Sequence, residues 1–281
     1  MASSSLSVVL LLLCLAAAAS AQMSPTFYDA SCPRALATIK SGVAAAVSSD
    51  PRMAASLLRL HFHDCFVQGC DASVLLAGNE RNAFGNVGSP RGFDVIDKIK
   101  SNVGGPSWTV SLGRRDSDTA SETLANRDLP APSLSVTDLI TRFAAKGLNH
   151  TDMVALSGAH TIGRVQCKNF RTRLYSEENI DPALATSRKA TFPQLTGSGD
   201  SNLDMFDNAY FVNLKLNKGL LHSDQVPYTL AGGATEDIID GFASNQDAFN
   251  NAFAAAMVKM GNISPLIFPQ GQVRRICSRE N

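Results

Sequence analysis

The sequence predicts a mostly α-helical domain with at most short β-strands. Three observations carry this reading. Apolar residues recur at helical spacing in most segments. Cap residues or a proline stand where several of those segments begin. No internal repeat or low-complexity linker divides the chain, so residues 22–281 read as one unit. Residues 1–21 are different: a small polar start, an apolar run over 8–19 and then Ala19-Ser20-Ala21 form a cleavable secretory signal that leaves Gln22 first. The run is too short to span a bilayer comfortably, and no later segment reads as a membrane span. With 25 basic and 25 acidic residues, the charge gives no argument for nucleic acid or an anionic membrane surface as partner.

Residues 34–49 place Leu36, Ile39, Val43, Ala44 and Val47 on one helical stripe. Ser49-Asp50-Pro51 supplies a cap and a first-turn proline for a second helix over 52–66. Leu57, Leu58 and Leu60 cover its core side, whereas Arg59 and His63, four apart, share another face. Residues 77–90 form a Gly/Asn-rich loop and 92–100 a short helix. Gly104-Gly105-Pro106 breaks the chain before a short strand over 108–112. Leu129-Pro130-Ala131-Pro132 is a rigid loop, and 135–146 an amphipathic helix that stops at Gly147. Thr151-Asp152 caps a helix over 153–157, which runs into Gly158-Ala159-His160-Thr161-Ile162-Gly163. Residues 171–201 are polar and read mostly as loop; helices follow over 206–218, 235–242 and 247–260.

The chemistry concentrates between Arg59 and Asp71, where an Arg, two His, two Asp and two Cys crowd together. A plain core does not tolerate that mixture without partners. Asp64, Gly69, Asp71 and Ser73 offer hard oxygen ligands in an irregular loop, which suits calcium. Cys65 and Cys70 are close enough in sequence to close that loop as a disulfide. The alternative of a hydrolytic metal on His61-x-His63-Asp64 is open at this point. The second notable histidine, His160, sits among small residues whose glycines let a large flat group approach the backbone.

The stretches Leu58-Arg59-Leu60-His61-Phe62-His63-Asp64-Cys65-Phe66-Val67 and Gly69-Cys70-Asp71-Ala72-Ser73-Val74-Leu75-Leu76 resemble the distal motif of plant secretory (class III) haem peroxidases. Residues 153–163 resemble their proximal motif; Phe27-Tyr28-Asp29-Ala30-Ser31-Cys32-Pro33, Gly113-Arg114-Arg115-Asp116 and Met260-Gly261-Asn262-Ile263-Ser264-Pro265 also match. The resemblance covers nearly all of residues 22–281. It implies a haem-peroxidase-like helical fold, haem b and calcium as cofactors, and hydrogen peroxide and small phenolic donors as substrates; the sequence itself reads as a monomer and, from its signal, as secreted to an extracellular or cell-wall setting rather than a vacuolar one. By the same resemblance His63 is the acid/base, Asn86 orients it, and Arg59 stabilises the departing oxygen. Phe62 lies over the cofactor and keeps donors at its edge, Pro130 lines the donor entrance, and His160 ligates the iron. The distal calcium set is Asp64, Val67, Gly69, Asp71 and Ser73, with Glu80 joined through water. A proximal set is Thr161, Asp204 and Asp207. For the carboxylate that accepts the other His160 N–H, register favours Glu236, with Asp237 adjacent. Asn149-His150-Thr151 and Asn262-Ile263-Ser264 are glycosylation sequons, which fits a secreted glycoprotein.

The resemblance breaks between about residues 100 and 104, where the family carries a further helix and a cysteine pair. The expected partners of Cys32 and Cys277 go with that segment, and Phe192 stands where the partner of Cys167 is expected. Two functional classes therefore stand side by side: a secreted haem peroxidase, and a catalytically impaired peroxidase-like protein or truncated product.

Overall fold

A computed structural model describes residues 23–31, 33–98, 112–192, 200–203, 206–229 and 232–281. It is mainly helical. Helices α1 (Ala35–Ser49) and α2 (Arg52–Val67) form the expected opening pair, and α3 (Phe93–Lys98) the short helix after the Gly/Asn-rich loop. Of the strand expected over 108–112, residues 108–111 lie outside the described residues, and Leu112 makes an isolated antiparallel bridge to Ser24. Helix α4 (Glu122–Asp128) was not anticipated; Ser121 caps it by accepting from the Leu124 N–H. Helix α5 (Val136–Ala144) follows the Ser135 cap, and α6 (His150–Ser157) carries His160 just beyond its end. The cap of α6 is Asn149, not Thr151-Asp152: Asn149 and Asp152 exchange side-chain and backbone bonds of 2.9 Å in a capping box.

Residues 171–201 correct the loop expectation. Helices α7 (Cys167–Ser176) and α8 (Pro182–Thr191) span much of the region. They are polar helices whose few apolar positions bury a second small core of Cys167, Phe170, Leu174, Ile180, Ala185 and Phe192. Asp181 caps α8 ahead of Pro182 at its first position, a start signal hidden in a polar context. The remaining helices are α9 (Ala209–Lys215), the single turn α10 (His222–Gln225), α11 (Ala234–Ser244) and α12 (Gln246–Gly261). Strands β1 (Gly163–Gln166) and β2 (Asp200–Leu203) pair antiparallel, with Gly163 opposite Leu203.

The main core gathers Phe66 and Val67 of α2, Phe143 of α5, Met153 to Leu156 of α6, Phe211 of α9, Ile239 of α11 and Phe249, Phe253 and Met260 of α12. The end of α2 is thereby anchored in the same apolar mass that supports His160. Two glycines let the walls of the site approach. Gly163 has φ of +105° and lies so close to α2 that a Cβ there would sit 2.8 Å from Ala55 Cβ. Gly158 has no room either: a Cβ would meet the Phe249 ring at 2.5 Å and the Phe211 ring at 2.8 Å. Gly158→Ala should therefore overpack the joint between α6 and the aromatic core and cost about 1–3 kcal/mol. Thermal unfolding reads this as a lowered Tm; an unchanged Tm would contradict the packing described.

Candidate functional site

A cavity of about 480 Å³ opens between α2 on one side and the end of α6 on the other. That lies within the range of about 300–1,000 Å³ typical of small-molecule pockets. Arg59, Phe62 and His63 face it from α2, His160 from beyond α6, and Pro130 and Ala131 from the rigid loop. Apolar lining from Phe62, Phe143, Leu156, Ala159 and Phe253 passes into a basic rim that includes Arg52, Arg91, Arg164 and Lys218. The lining is thus amphiphilic.

On the α2 wall His63 is 7% exposed and Asn86 2%. His63 Nδ1 lies 2.5 Å from Asn86 Oδ1, and Asn86 Nδ2 donates to the Glu80 carbonyl at 2.8 Å. With its nitrogen committed to Glu80, Asn86 presents the carbonyl oxygen to His63, so His63 Nδ1 carries the proton. Arg59 Nε donates to His63 Nε2 at 3.0 Å. A guanidinium has only donors, so that nitrogen is the lone-pair end. Burial and then the nearby Arg59 charge depress the His63 pKa to about 3, against a partial offset from Asn86. His63 is a neutral base of fixed tautomer. Arg59 is fastened by further bonds to Ser89 Oγ at 2.5 Å and the Gly85 carbonyl at 3.0 Å, neither of which was anticipated.

On the opposite wall the histidine ring is open to the cavity, its side chain 53% exposed. His160 Nδ1 donates to Asp224 Oδ1 at 2.7 Å. This corrects the expectation of Glu236. That carboxylate instead accepts from Thr229 N at 2.8 Å and Gly232 N at 2.9 Å, closing its own loop. Asp224 lies on the single turn α10, too short for any periodic signal. Its Oδ2 accepts from Leu221 N at 3.3 Å, and the Tyr210 hydroxyl donates to Oδ1 at 3.2 Å. Burial works to lower the His160 pKa, but the Asp224 carboxylate outweighs it and the net shift is upward.

Behind α2 the disulfide between Cys65 and Cys70 is formed. Asp71 is buried, with Oδ1 accepting from Ser73 N at 3.0 Å, and burial raises its pKa. The Val67 carbonyl accepts from Lys146 Nζ at 3.3 Å. Gly69 needs its φ of +118° and its missing side chain, because a Cβ would lie 2.6 Å from the Ser264 carbonyl oxygen. Glu80 is fully buried and burial pushes it up to about 7; its Oε2 accepts from Ser121 N, while Oε1 and Ser73 Oγ find no hydrogen-bond partner among the described residues. Such oxygens, buried without a donor, are the kind a cation satisfies. No group of three or more His, Cys, Asp or Glu side chains among the described residues is arranged to hold a metal, so any cation in this loop would draw on carbonyl and hydroxyl oxygens as well. That finding also removes support from a hydrolytic metal on His61 and His63. On the other side Thr161 Oγ1 donates to Asp207 Oδ1 at 2.9 Å, bringing two residues of the second expected set together, whereas Asp204 lies outside the described residues. No helix among the described residues is long and apolar enough to cross a membrane.

The chain is similar to known proteins over nearly its whole length. The family model described as peroxidase matches residues 39–104 and, in a second stretch, 101–245, so the two matches meet at residues 101–104. Peroxidase 2 of Oryza sativa subsp. japonica is 59% identical over 312 aligned residues, covering 99% of each chain. Peroxidase 1 of Hordeum vulgare is 56% identical and peroxidase 4 of Vitis vinifera 46% identical, each with 100% of both chains covered.

The two candidate carboxylates can be separated directly. Asp224→Asn should lower the His160 pKa, read by NMR titration of the ring, because the charge that raises it is gone. Glu236→Gln should leave it in place. The reverse pattern would return the role to Glu236.

Proposed function

Because the chain belongs to the peroxidase family, of the plant secretory (class III) kind, and is an enzyme with peroxidase activity, we propose that its cavity holds haem b between His160 and the pair His63 and Arg59. The observation that carries this is the pair of histidines on opposite walls of one amphiphilic cavity, each with one ring nitrogen committed to a partner. His160 has Nδ1 bound to Asp224, which leaves Nε2 as the iron ligand and raises its basicity. When bound, haem supplies the iron at which the oxygen–oxygen bond of hydrogen peroxide is cleaved.

The residues of the chain then divide the proton work. His63 Nε2, the lone-pair end of a neutral ring, would take a proton from one oxygen of hydrogen peroxide and return it to the other. For this Nε2 must exchange its hydrogen bond from Arg59 for one from peroxide, and Arg59 turns its remaining donors to the leaving oxygen. Asn86 holds the His63 ring in orientation throughout. Phe62, stacked on Phe66 with ring centroids 4.3 Å apart, covers the cavity wall beside His63 and leaves the mouth near Pro130 for small phenolic donors, which give up electrons one at a time.

The loop from Asp64 to Ser73 is proposed to bind calcium through Asp64, Asp71, the Val67 and Gly69 carbonyls and Ser73, with Glu80 near it. What supports this is the buried, donor-poor Ser73 Oγ and Glu80 Oε1. Thr161 and Asp207, with Asp204, are proposed for the second calcium. We read residues 1–21 as a removed secretory signal, residues 22–281 as one monomeric peroxidase domain, and Asn149 and Asn262 as sugar attachment sites of an extracellular or cell-wall protein. A family helix omitted between about residues 100 and 104 is supported by the two-part family match and by alignments longer than this 281-residue chain.

His63→Ala should retain haem and slow the reaction with peroxide by about 10²–10⁴-fold, the usual contribution of a positioned base. Protonation of His63 disables the base, so its limb of the peroxide rate profile should fall only as pH drops toward about 3. Stopped-flow rates in wild type and variant check both. Equal rates, or a limb centred on the ordinary histidine value of 6.5, would contradict the assignment.

A further inference from the structure

Asp224 Oδ1 carries two donors. His160 Nδ1 reaches it at 2.7 Å and the Tyr210 hydroxyl at 3.2 Å. Tyr210 stands on α9, is 6% exposed, and sets its ring edge-on to the His160 ring, with centroids 6.3 Å apart and planes at 82°. A carboxylate can only accept, so the phenol is the donor. Burial first, and then the Asp224 charge, hold the Tyr210 pKa well above its ordinary value, so the phenol keeps its proton.

The other carboxylate oxygen, Oδ2, accepts from Leu221 N at 3.3 Å, which holds the group against following one donor. Its turn is pinned on both sides. Gln225, fully buried, donates to the Leu214 and Tyr228 carbonyls at 3.0 Å each and accepts from Gly219 N at 3.1 Å. His222 Nδ1 is 2.7 Å from Glu177 Oε1, whose other oxygen is held at 2.6 Å by the buried guanidinium of Arg173. Asp224 sits between His222 and Gln225, so its carboxylate is presented at one place. Removing a donor from Oδ1 then changes the charge offered to the other donor more than its position.

We infer that Tyr210 is a positioning residue that sets how strongly Asp224 draws on the His160 Nδ1 proton, and through it how much electron density His160 gives to bound haem iron. A carboxylate oxygen shared between two donors has less negative charge to offer each of them. With Tyr210 in place His160 is a weaker donor than Asp224 alone would make it. The inference rests on the reading of His160 as iron ligand and concerns the tuning of that ligand.

The test uses the haem-bound enzyme and Tyr210→Phe, which keeps the ring and loses only the hydroxyl. The iron–histidine stretching frequency of the ferrous form should rise and the ferric/ferrous midpoint potential should become more negative. Unchanged values in a haem-bound variant would overturn the inference. In an Asp224→Asn background the same substitution should add no further shift; an undiminished shift there would overturn it, because Tyr210 would then act by another route. Should Tyr210→Phe fail to fold, a fluorinated tyrosine at position 210, whose hydroxyl is a stronger donor, should move the stretch downward, and a stretch that does not move overturns the inference. A wild-type ferrous enzyme with no iron–histidine stretch would overturn the ligand reading itself, and the inference with it.

Discussion

One constraint governs the site: each cavity histidine has Nδ1 fixed by a buried partner, so Nε2 is the nitrogen turned to the chemistry. His63 gives Nδ1 to Asn86 at 2.5 Å and His160 gives Nδ1 to Asp224 at 2.7 Å. The partners differ in kind, and so do the consequences. A neutral amide fixes the His63 tautomer without adding charge, so burial wins and the ring stays an unprotonated base. A carboxylate adds charge, so the His160 pKa rises and the ring becomes the better electron donor. The same side chain thus serves two opposite tasks on facing walls.

The walls are set by packing rather than by the site residues. Phe66 and Val67, at the end of the helix that bears His63, join the core that also holds Met153 to Leu156 ahead of His160. Gly158 and Gly163 bracket His160 and remove the side chains that would force the walls apart. The smaller cluster of Val43, Met53, Leu57 and Val95, which binds α1 to α2, is separate from that core. The site is therefore assembled chiefly by contacts on one side of α2. The bonds of His63 and His160 to Asn86 and Asp224 lie on that side.

Much of this was legible in the sequence where signals repeat. Arg59 and His63 could be placed on one face of a helix from their spacing alone, and the Cys65–Cys70 bridge and the His63–Asn86 pair formed as expected. The failures have a common cause: information carried by tertiary context. Asp224 sits in a turn of four residues, where neither period nor composition marks it, while Glu236 stands in the first turn of a longer and more conspicuous helix. Helices α7 and α8 looked like loop because they are polar. Arg173, in a segment that reads as polar loop, is 1% exposed, its guanidinium shared among Gly219, Glu177, Asn179 and Gln225. Tyr210 gave no sign of its role, since a hydroxyl that modulates a carboxylate 14 residues away is visible only once both are in place.

The central claim is that this chain holds the two walls at the spacing haem requires. Residues 22–281, purified and titrated with haem, test it in one absorbance spectrum. The account predicts an intense Soret band that saturates at one haem per chain and is lost or strongly weakened in His160→Ala. No Soret band from the wild-type chain, or an identical band from the variant, would contradict it.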